Sequence, residues 1–171
     1  MTTRHPQVIL ILAVDSNGVV GKNNDIPWRS LHDFKWFRGN TIDNSTIMGR
    51  KTWESLPTKP LPRRNNYVVT SDPNYVAEGA IIVGSVKEAI DLSLRDYPEN
   101  KVFVIGGKAI WEAATPYANL AYISRIGRKT VIDENCVMMP DLPTNEIISQ
   151  VDLYEGDEHE PSVKVVTVRF L

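Results

Sequence analysis

The strongest constraint on the fold is a continuous apolar run near the start of the chain, VILILAV at residues 8–14. Such a run, rich in branched side chains, indicates a strand that is buried on both faces of a largely parallel sheet. Shorter runs of the same kind follow at residues 46–49, 67–70, 80–83, 101–105 and 120–126. The sequence therefore predicts a sheet whose central strand lies close to the N-terminus.

Helical segments separate several of these strands. The pattern predicts helices over residues 31–40, 50–55, 86–94 and 108–114. Strands that alternate with helices indicate crossover units in an α/β fold. Residues 163–171 instead alternate apolar and polar side chains, which predicts an antiparallel or edge strand at the C-terminal end.

Length and composition favour one domain over residues 1–171, with an N-terminal extension at 1–7 and a solvated acidic connection at 152–160. The 19 basic and 21 acidic residues leave a net charge of -2, so we expect no general attraction to nucleic acid or anionic lipid. The run at 8–14 is too short to span a bilayer. The single cysteine, Cys136, fits a reducing compartment, and we expect a cytoplasmic protein without a metal site.

The segment SLHDFKWF at residues 30–37 contains the first candidate site residue, Asp33. One interpretation is structural: Ser30 caps a helix, Asp33 closes a capping box, and the aromatic side chains lie in the core. The alternative is a site acid, because Trp36 and Phe37 share a helical face with Asp33. A carboxylate on an apolar face is partly desolvated, which raises its pKa. Both interpretations stay open on this segment alone.

Two predicted strands end in glycine immediately before a predicted helix. Gly49 is followed by Arg50, Lys51 and Thr52, and helix N-termini bind anions through free N–H groups. Cations at this end oppose the helix dipole, so their presence favours a phosphate site over unrelated surface charges. The glycine pair at 106–107 is a weak signal by itself. Both strand ends lie at the carboxyl edge of the predicted sheet, where a dinucleotide could bridge them.

A proline-rich loop at residues 57–62 is accompanied by Leu56, Leu61, Arg63 and Arg64. An apolar slot that ends in guanidinium groups suits an aromatic ligand with a terminal carboxylate, because arginine binds carboxylates through two parallel hydrogen bonds. Exposed loop cations are the alternative, and this segment alone favours that alternative.

Taken together and in order, these segments resemble dihydrofolate reductase. The matching motifs are LAVD (12–15), GVVG (18–21), IPW (26–28), LHDFKWF (31–37), IMGRKTWES (47–55), PLP (60–62), RN (64–65) and IGG (105–107). The resemblance covers the chain from about residue 8 to about residue 140. Each motif is modest, but the ordered set is highly specific.

The resemblance implies an α/β single domain with an eight-stranded, mostly parallel sheet, an antiparallel C-terminal strand and four flanking helices. It implies that a monomer reduces 7,8-dihydrofolate to tetrahydrofolate with NADPH and binds antifolates. The family pattern makes Asp33, Trp28 and Ser124 the catalytic set, with Asp33 as the pterin anchor and water as the immediate proton donor. The implied substrate-binding residues are Ala13, Asp33, Phe34, Phe37, Leu56, Leu61, Arg64, Ile105 and Ser124.

The same resemblance implies a site for NADPH along the carboxyl edge of the sheet. Residues 21–28 resemble the mobile lid that closes over the nicotinamide. Ile26 and Trp111 stand where many bacterial relatives have Met and Tyr, and residues 134–141 match the family pattern poorly. The implied contacts are Ala13, Val20, Gly21, Asn24, Ile26, Trp28, Gly49, Arg50, Lys51, Thr52, Val69, Thr70, Ser71, Ile105, Gly106, Gly107, Lys108, Ala109, Ile110 and Trp111.

Two other functions remain open on the sequence. The pyrimidine reductase domain of riboflavin synthesis shares this fold and cofactor, but it should lack the set Trp28, Asp33, Phe37 and Arg64. The second alternative is a non-catalytic paralogue with a structural or ligand-binding role. The intact site residues argue against this paralogue.

Overall fold

The predicted central strand is β1 (His5–Asp15), which begins at His5 rather than at residue 8. The computed structural model describes residues 4–171. The other strands are β2 (Val19–Lys22), β3 (Ser45–Gly49), β4 (Asn65–Val69), β5 (Ile81–Val83), β6 (Val102–Gly106), β7 (Ala118–Ile126), β8 (Cys136–Met138), β9 (Asn145–Tyr154) and β10 (Val163–Phe170). The helices are α1 (Leu31–Thr41), α2 (Arg50–Ser55), α3 (Val86–Asp96) and α4 (Lys108–Ala114).

Eight of the strands form one sheet in the order β5-β4-β3-β6-β1-β7-β10-β9. The first six strands of this order run parallel, and β10 and β9 pair antiparallel at the far side. The buried interior follows from the apolar runs, since Val8, Leu10 and Val104 are fully enclosed where β1 lies beside β6. The α/β class, the four helices and the mostly parallel sheet are as predicted.

The prediction that residues 1–7 form an N-terminal extension is wrong for residues 5–7. His5 lies opposite Ala118 in the β1–β7 ladder, so residues 5–7 belong to the sheet. The Arg4 guanidinium donates to the carbonyls of Thr115 and Ala118 at 2.6 and 2.8 Å, which anchors the chain just before β1. Residues 1–3 lie outside the described part of the chain.

The acidic connection predicted at residues 152–160 is also wrong in part. Residues 152–154 belong to β9, an edge strand whose residues 145–152 are all exposed. Because both faces of this edge strand meet solvent, its sequence lacks the alternation of apolar and polar residues by which a strand is recognised. Asp152 forms an ion pair of 3.6 Å with Lys164 of β10. Glu160 also has a structural role, because its carboxylate binds the first turn of α1.

A separate pair of strands, β2 and β8, replaces part of the loop expected after β1. Val19 lies opposite Met138, and Lys22 lies opposite Cys136. An ion pair of 3.0 Å between Lys22 and Asp133 closes this small sheet at its outer end. The poorly matching segment at 134–141 therefore supplies the strand that braces the predicted lid.

Candidate functional site

The carboxyl ends of the central parallel strands meet at one edge of the sheet, as predicted. Met48 of β3 lies opposite Gly106 of β6, and Ala13 of β1 lies opposite Ser124 of β7. Two helices, α2 and α4, begin directly at the ends of β3 and β6. This arrangement places the predicted glycine motifs and the predicted catalytic residue Ser124 at one edge of the sheet, where α/β proteins bind their ligands.

Asp33 lies in the first turn of α1, and Ser30 caps that turn by accepting from the Asp33 backbone N–H at 3.0 Å. The predicted capping box is incomplete, because within residues 4–171 the Asp33 carboxylate makes no return bond to Ser30. Burial raises the pKa of the Asp33 carboxyl, and the hydroxyl of Ser124 opposes the rise. The backbone of Asp33 is thus part of an N-cap and its side chain is a partly desolvated acid, while its role as a site acid stays a prediction.

Helix α1 presents apolar side chains around this acid without burying them. Leu31 is 56% exposed and Phe34 is 58% exposed, whereas Trp28 just before the helix is only 3% exposed. Phe37 packs on the cluster of Ile9, Ile11 and Phe103, and Ile105 packs on the same cluster. Exposed large apolar groups beside a desolvated carboxylate are typical of a binding cleft for an apolar ring with polar edges.

Two consecutive arginines in the loop before β4 have different environments. Arg63 is bound to Asp43 through two hydrogen bonds of 2.6 and 3.1 Å. Arg64 donates to the Thr41 hydroxyl at 3.1 Å and, within the described residues, forms no ion pair. Burial, and then the nearby charge of Arg38, lower the pKa of Arg64. Arg64 is half-buried and Arg38 is exposed, and two nearby like charges of this kind favour the binding of an anion.

Arg38 is a residue that the sequence interpretation missed. It stands in the last turn of α1, where a cation is ordinarily explained by the helix dipole. The signal that could have found it is spacing, since Arg38 lies one helical turn after Phe34 and so on the same face. Leu56, Leu61 and Ile105 are partly buried and pack on one cluster with Met48 and Trp53, and the apolar slot that they would form stays a prediction.

The N-termini of α2 and α4 form a second part of the cleft. Their N-cap residues are Gly49 and Gly107, and neither helix start is capped by a side chain. A Cβ added at Gly49 would lie 3.1 Å from Ile110, and one added at Gly107 would lie 3.8 Å from the Thr52 hydroxyl. The two helix starts are therefore close neighbours with free N–H groups, a donor set that fits a diphosphate.

The predicted phosphate cations differ in how they are held. Lys51 is exposed. The Arg50 guanidinium lies 4.2 Å over the Tyr75 ring and donates to the Glu54 carboxylate at 2.9 Å. Tyr75 also donates to Glu54 at 3.1 Å, which holds the arginine in place from two sides. The sequence interpretation missed both Tyr75 and Glu54.

The other predicted cofactor residues differ in their exposure to solvent. Trp111 lies in the core, where its indole N–H donates to the Val104 carbonyl at 3.0 Å, so its contact with a cofactor stays a prediction. Ile26 is 48% exposed at the end of the predicted lid. Of the rest, Asn24, Ser71, Lys108 and Ala109 are exposed, Gly21, Val69, Thr70 and Ile110 are half-buried, and Val20 is buried.

Comparison with protein families identifies the architecture. The family model described as dihydrofolate reductase matches residues 7–169. This chain belongs to the dihydrofolate reductase family. It is 41% identical to the dihydrofolate reductase of Bacillus subtilis (strain 168) over 119 residues, which is 70% of this chain and 68% of that protein. It is 33% identical to that of Buchnera aphidicola subsp. Baizongia pistaciae (strain Bp) over 95% of this chain and 94% of that protein.

A solved structure supports the same assignment. Dihydrofolate reductase from Enterococcus faecalis, complexed with NADP(H) and RAB-propyl, is similar over 95% of each chain, with a TM-score of 0.83 and 28% identity. The predictions of the family, of the eight-stranded fold and of NADPH-dependent dihydrofolate reduction are confirmed. The two alternative functions are not favoured. Among the described helices, each is too short or too polar to cross a membrane.

Proposed function

We propose that the cleft between α1 and the carboxyl edge of the sheet binds 7,8-dihydrofolate with Asp33 as its pterin anchor. The observation that supports this most strongly is a carboxyl group whose pKa is raised by burial and whose one nearby donor, within the part of the chain that the structure describes, is Ser124. A buried carboxylate with unused acceptor sites gains most from a ligand that donates hydrogen bonds. The pterin N3–H and 2-amino groups are such donors, and Ser124 would hold the other side of the acid.

The rest of the substrate fits the remaining cleft in the same order. The aminobenzoyl ring would lie between Phe37 and the leucines Leu56 and Leu61, which are partly buried. Arg64 would bind the glutamate α-carboxylate, and Arg38 adds a second positive charge there. Arg63 takes no part in this binding, because Asp43 already occupies its guanidinium. Antifolates are expected to bind in the same cleft.

NADPH would bind along the strand ends, where the uncapped starts of α2 and α4 suit its diphosphate. Arg50, Lys51 and the hydroxyls after β4, Thr70 and Ser71, would hold the adenosine 2′-phosphate. Ala13, Ile105 and the glycines at 106–107 would contact the nicotinamide half. When bound, NADPH supplies the hydride that reduces pterin C6, and N5 receives a proton.

The protein residues contribute position, electrostatics and water exclusion to this reaction. Asp33 holds the pterin ring by its N3 and 2-amino edge, which fixes the face that is reduced. Water is the immediate proton donor to N5, and Asp33 adjusts the electron distribution of the ring. Trp28 and Ile26 shield the reacting atoms when the segment at 21–28 closes over them.

Two matched arginine variants test this function. Purified protein is mixed with NADPH and dihydrofolate, and the loss of NADPH absorbance is followed. Arg64→Leu is expected to raise the Michaelis constant for dihydrofolate about tenfold, because a charge-assisted pair to the substrate carboxylate is lost. Arg63→Leu should leave that constant within about twofold, because its partner is Asp43. No dihydrofolate-dependent loss of absorbance in the unaltered protein, or equal effects of the two variants, would contradict the proposal.

We also propose that the chain acts as a cytoplasmic monomer. The free thiol of Cys136 suits a reducing compartment. The residues assigned to the cleft all come from one copy of the chain, so a single copy can supply a complete site. Sedimentation of the purified protein with and without NADPH gives its oligomeric state, and a dimer would contradict this proposal.

A further inference from the structure

The carboxylate of Glu160 binds the first turn of α1 from the opposite end of the chain. One oxygen accepts from the Ser30 hydroxyl at 3.1 Å and from the His32 backbone N–H at 2.9 Å. The same oxygen lies 2.8 Å from Nδ1 of His32. Glu160 therefore occupies backbone and side-chain donors that a helix start otherwise leaves to solvent.

The loop that presents Glu160 is itself held in place. Asp157 accepts from the backbone N–H groups of His159 and Glu160 at 2.7 and 2.8 Å, and it also binds the Tyr154 hydroxyl. The Tyr154 ring stacks on the His32 ring with a centroid distance of 3.9 Å and an angle of 5° between the planes. The loop and the helix are thus joined both by hydrogen bonds and by ring contact.

These contacts converge on the backbone of Asp33. The Ser30 hydroxyl that donates to Glu160 accepts from the Asp33 N–H, and the Ser30 carbonyl accepts from the Phe34 N–H at 3.0 Å. We propose that Glu160 is a positioning residue for dihydrofolate reduction, which acts through Ser30 and His32 to fix the turn that carries Asp33. This inference rests on the proposed role of Asp33 and assigns to that site a residue 127 positions away in the sequence.

The action of Glu160 is one of position rather than of charge. The causes that shift the pKa of Asp33 are burial and Ser124, and the charge of Glu160 is not among them. A glutamine at this position keeps an acceptor oxygen for Ser30 and for the His32 N–H, whereas an alanine removes it. Loosening of the turn would bring water to Asp33 and lower its pKa towards the ordinary value.

The test compares Glu160→Ala, Glu160→Gln and a control in the same loop, Glu158→Ala, whose exposed side chain is paired with the neighbouring His159. Glu160→Ala is expected to raise the Michaelis constant for dihydrofolate about tenfold and to leave that for NADPH within about twofold. It should also shift the break in the pH profile of kcat/KM for dihydrofolate to lower pH. Glu160→Gln should restore most of the affinity, and Glu158→Ala should match the unaltered enzyme.

Hydrogen exchange at the His32 and Asp33 amides supplies a readout that does not need activity. Faster exchange in Glu160→Ala, but not in Glu158→Ala, is expected. Unchanged kinetics and exchange in Glu160→Ala would overturn the inference, and so would a glutamine variant as impaired as the alanine variant. If the unaltered protein shows no dihydrofolate-dependent oxidation of NADPH, the proposed function fails. The exchange result then still decides whether Glu160 fixes this turn.

Discussion

Two carboxylates at the carboxyl edge of the sheet, the buried Asp15 and the half-buried Asp33, differ in what surrounds them. Asp15, at the end of β1, is 5% exposed and accepts from the N–H groups of Asn17, Val19 and Thr130 at 2.8 to 3.0 Å. Burial by itself would raise the pKa of Asp15, but these bonds outweigh it and the pKa is lowered. Burial also raises the pKa of Asp33. There the hydrogen bond from Ser124 does not outweigh the effect of burial, so the pKa stays raised.

We propose that this difference separates a structural acid, Asp15, from a ligand-binding acid, Asp33. Asp15 has its acceptor sites filled by the protein, and its bonds tie the start of the β1–β2 connection to the loop after β7. Among residues 4–171, Ser124 is the donor near the Asp33 carboxylate, so desolvation is offset only in part and a substrate with hydrogen-bond donors can offset more of it. The pKa values of the two acids are shifted in opposite directions, as expected for these two roles.

The largest effect is expected for Asp33→Asn. The variant keeps the shape of the side chain but loses the charge facing the pterin, so kcat/KM for dihydrofolate should fall about 100-fold at neutral pH. Its free energy of unfolding at neutral pH should not decrease, because an amide has no charge to desolvate. Steady-state kinetics and urea unfolding check both results. Activity close to that of the unaltered enzyme would remove the distinction between the two acids.

Asp15→Asn is the matched variant at the structural site. Its amide nitrogen would face N–H donors, so we expect the free energy of unfolding to fall by about 2 kcal/mol. The folded protein should bind dihydrofolate with a Michaelis constant within about threefold of the original, since Asp15 is not assigned to the substrate. Urea unfolding and steady-state kinetics measure these quantities. A large loss of substrate affinity without a loss of stability would reverse the assignment.

A smaller effect is expected in the pH dependence of stability. Because folding lowers the pKa of Asp15, its carboxylate contributes to the free energy of unfolding at pH values above its ordinary pKa of 3.8. This contribution is lost as the pH falls through the folded-state pKa. Because folding raises the pKa of Asp33, its protonated carboxyl group contributes to the free energy of unfolding at pH values below 3.8. This contribution is lost as the pH rises through the folded-state pKa. The urea midpoint of each protein is measured between acid and neutral pH. Compared with the unaltered protein, Asp15→Asn should lose a rise of the midpoint with pH, and Asp33→Asn should lose a fall. If the curves of urea midpoint against pH had the same shape in both variants, the opposite pKa shifts of Asp15 and Asp33 would be contradicted.

The sequence predicted the elements whose signals are local. Helices α2 and α4 begin and end at the predicted residues, Arg50–Ser55 and Lys108–Ala114, because a glycine marks each helix start. The apolar run of β1 predicted the central strand, since a strand enclosed on both faces needs no alternation. The family motifs predicted residues at the carboxyl edge of the sheet: Ser124 contacts Asp33 there, and Gly49 lies where β3 ends and α2 begins.

The elements that escaped prediction depend on partners distant in the sequence. Strand β9 is exposed along most of its length, so its sequence lacks a periodic signal. Glu160 appeared to belong to a solvated acidic segment, and its bond to His32 spans 128 positions. The separate roles of Arg63 and Arg64 follow from Asp43 and Thr41, whose positions only the folded chain defines.

The pH profile of kcat/KM for dihydrofolate, measured for the unaltered enzyme and for Asp33→Asn, tests the central claim most directly. In the unaltered enzyme the profile should break at a pKa above 3.8, the ordinary value for this group. The variant should lack that break. The same break in both proteins would show that another group titrates, and it would contradict the assignment of Asp33 as the pterin anchor.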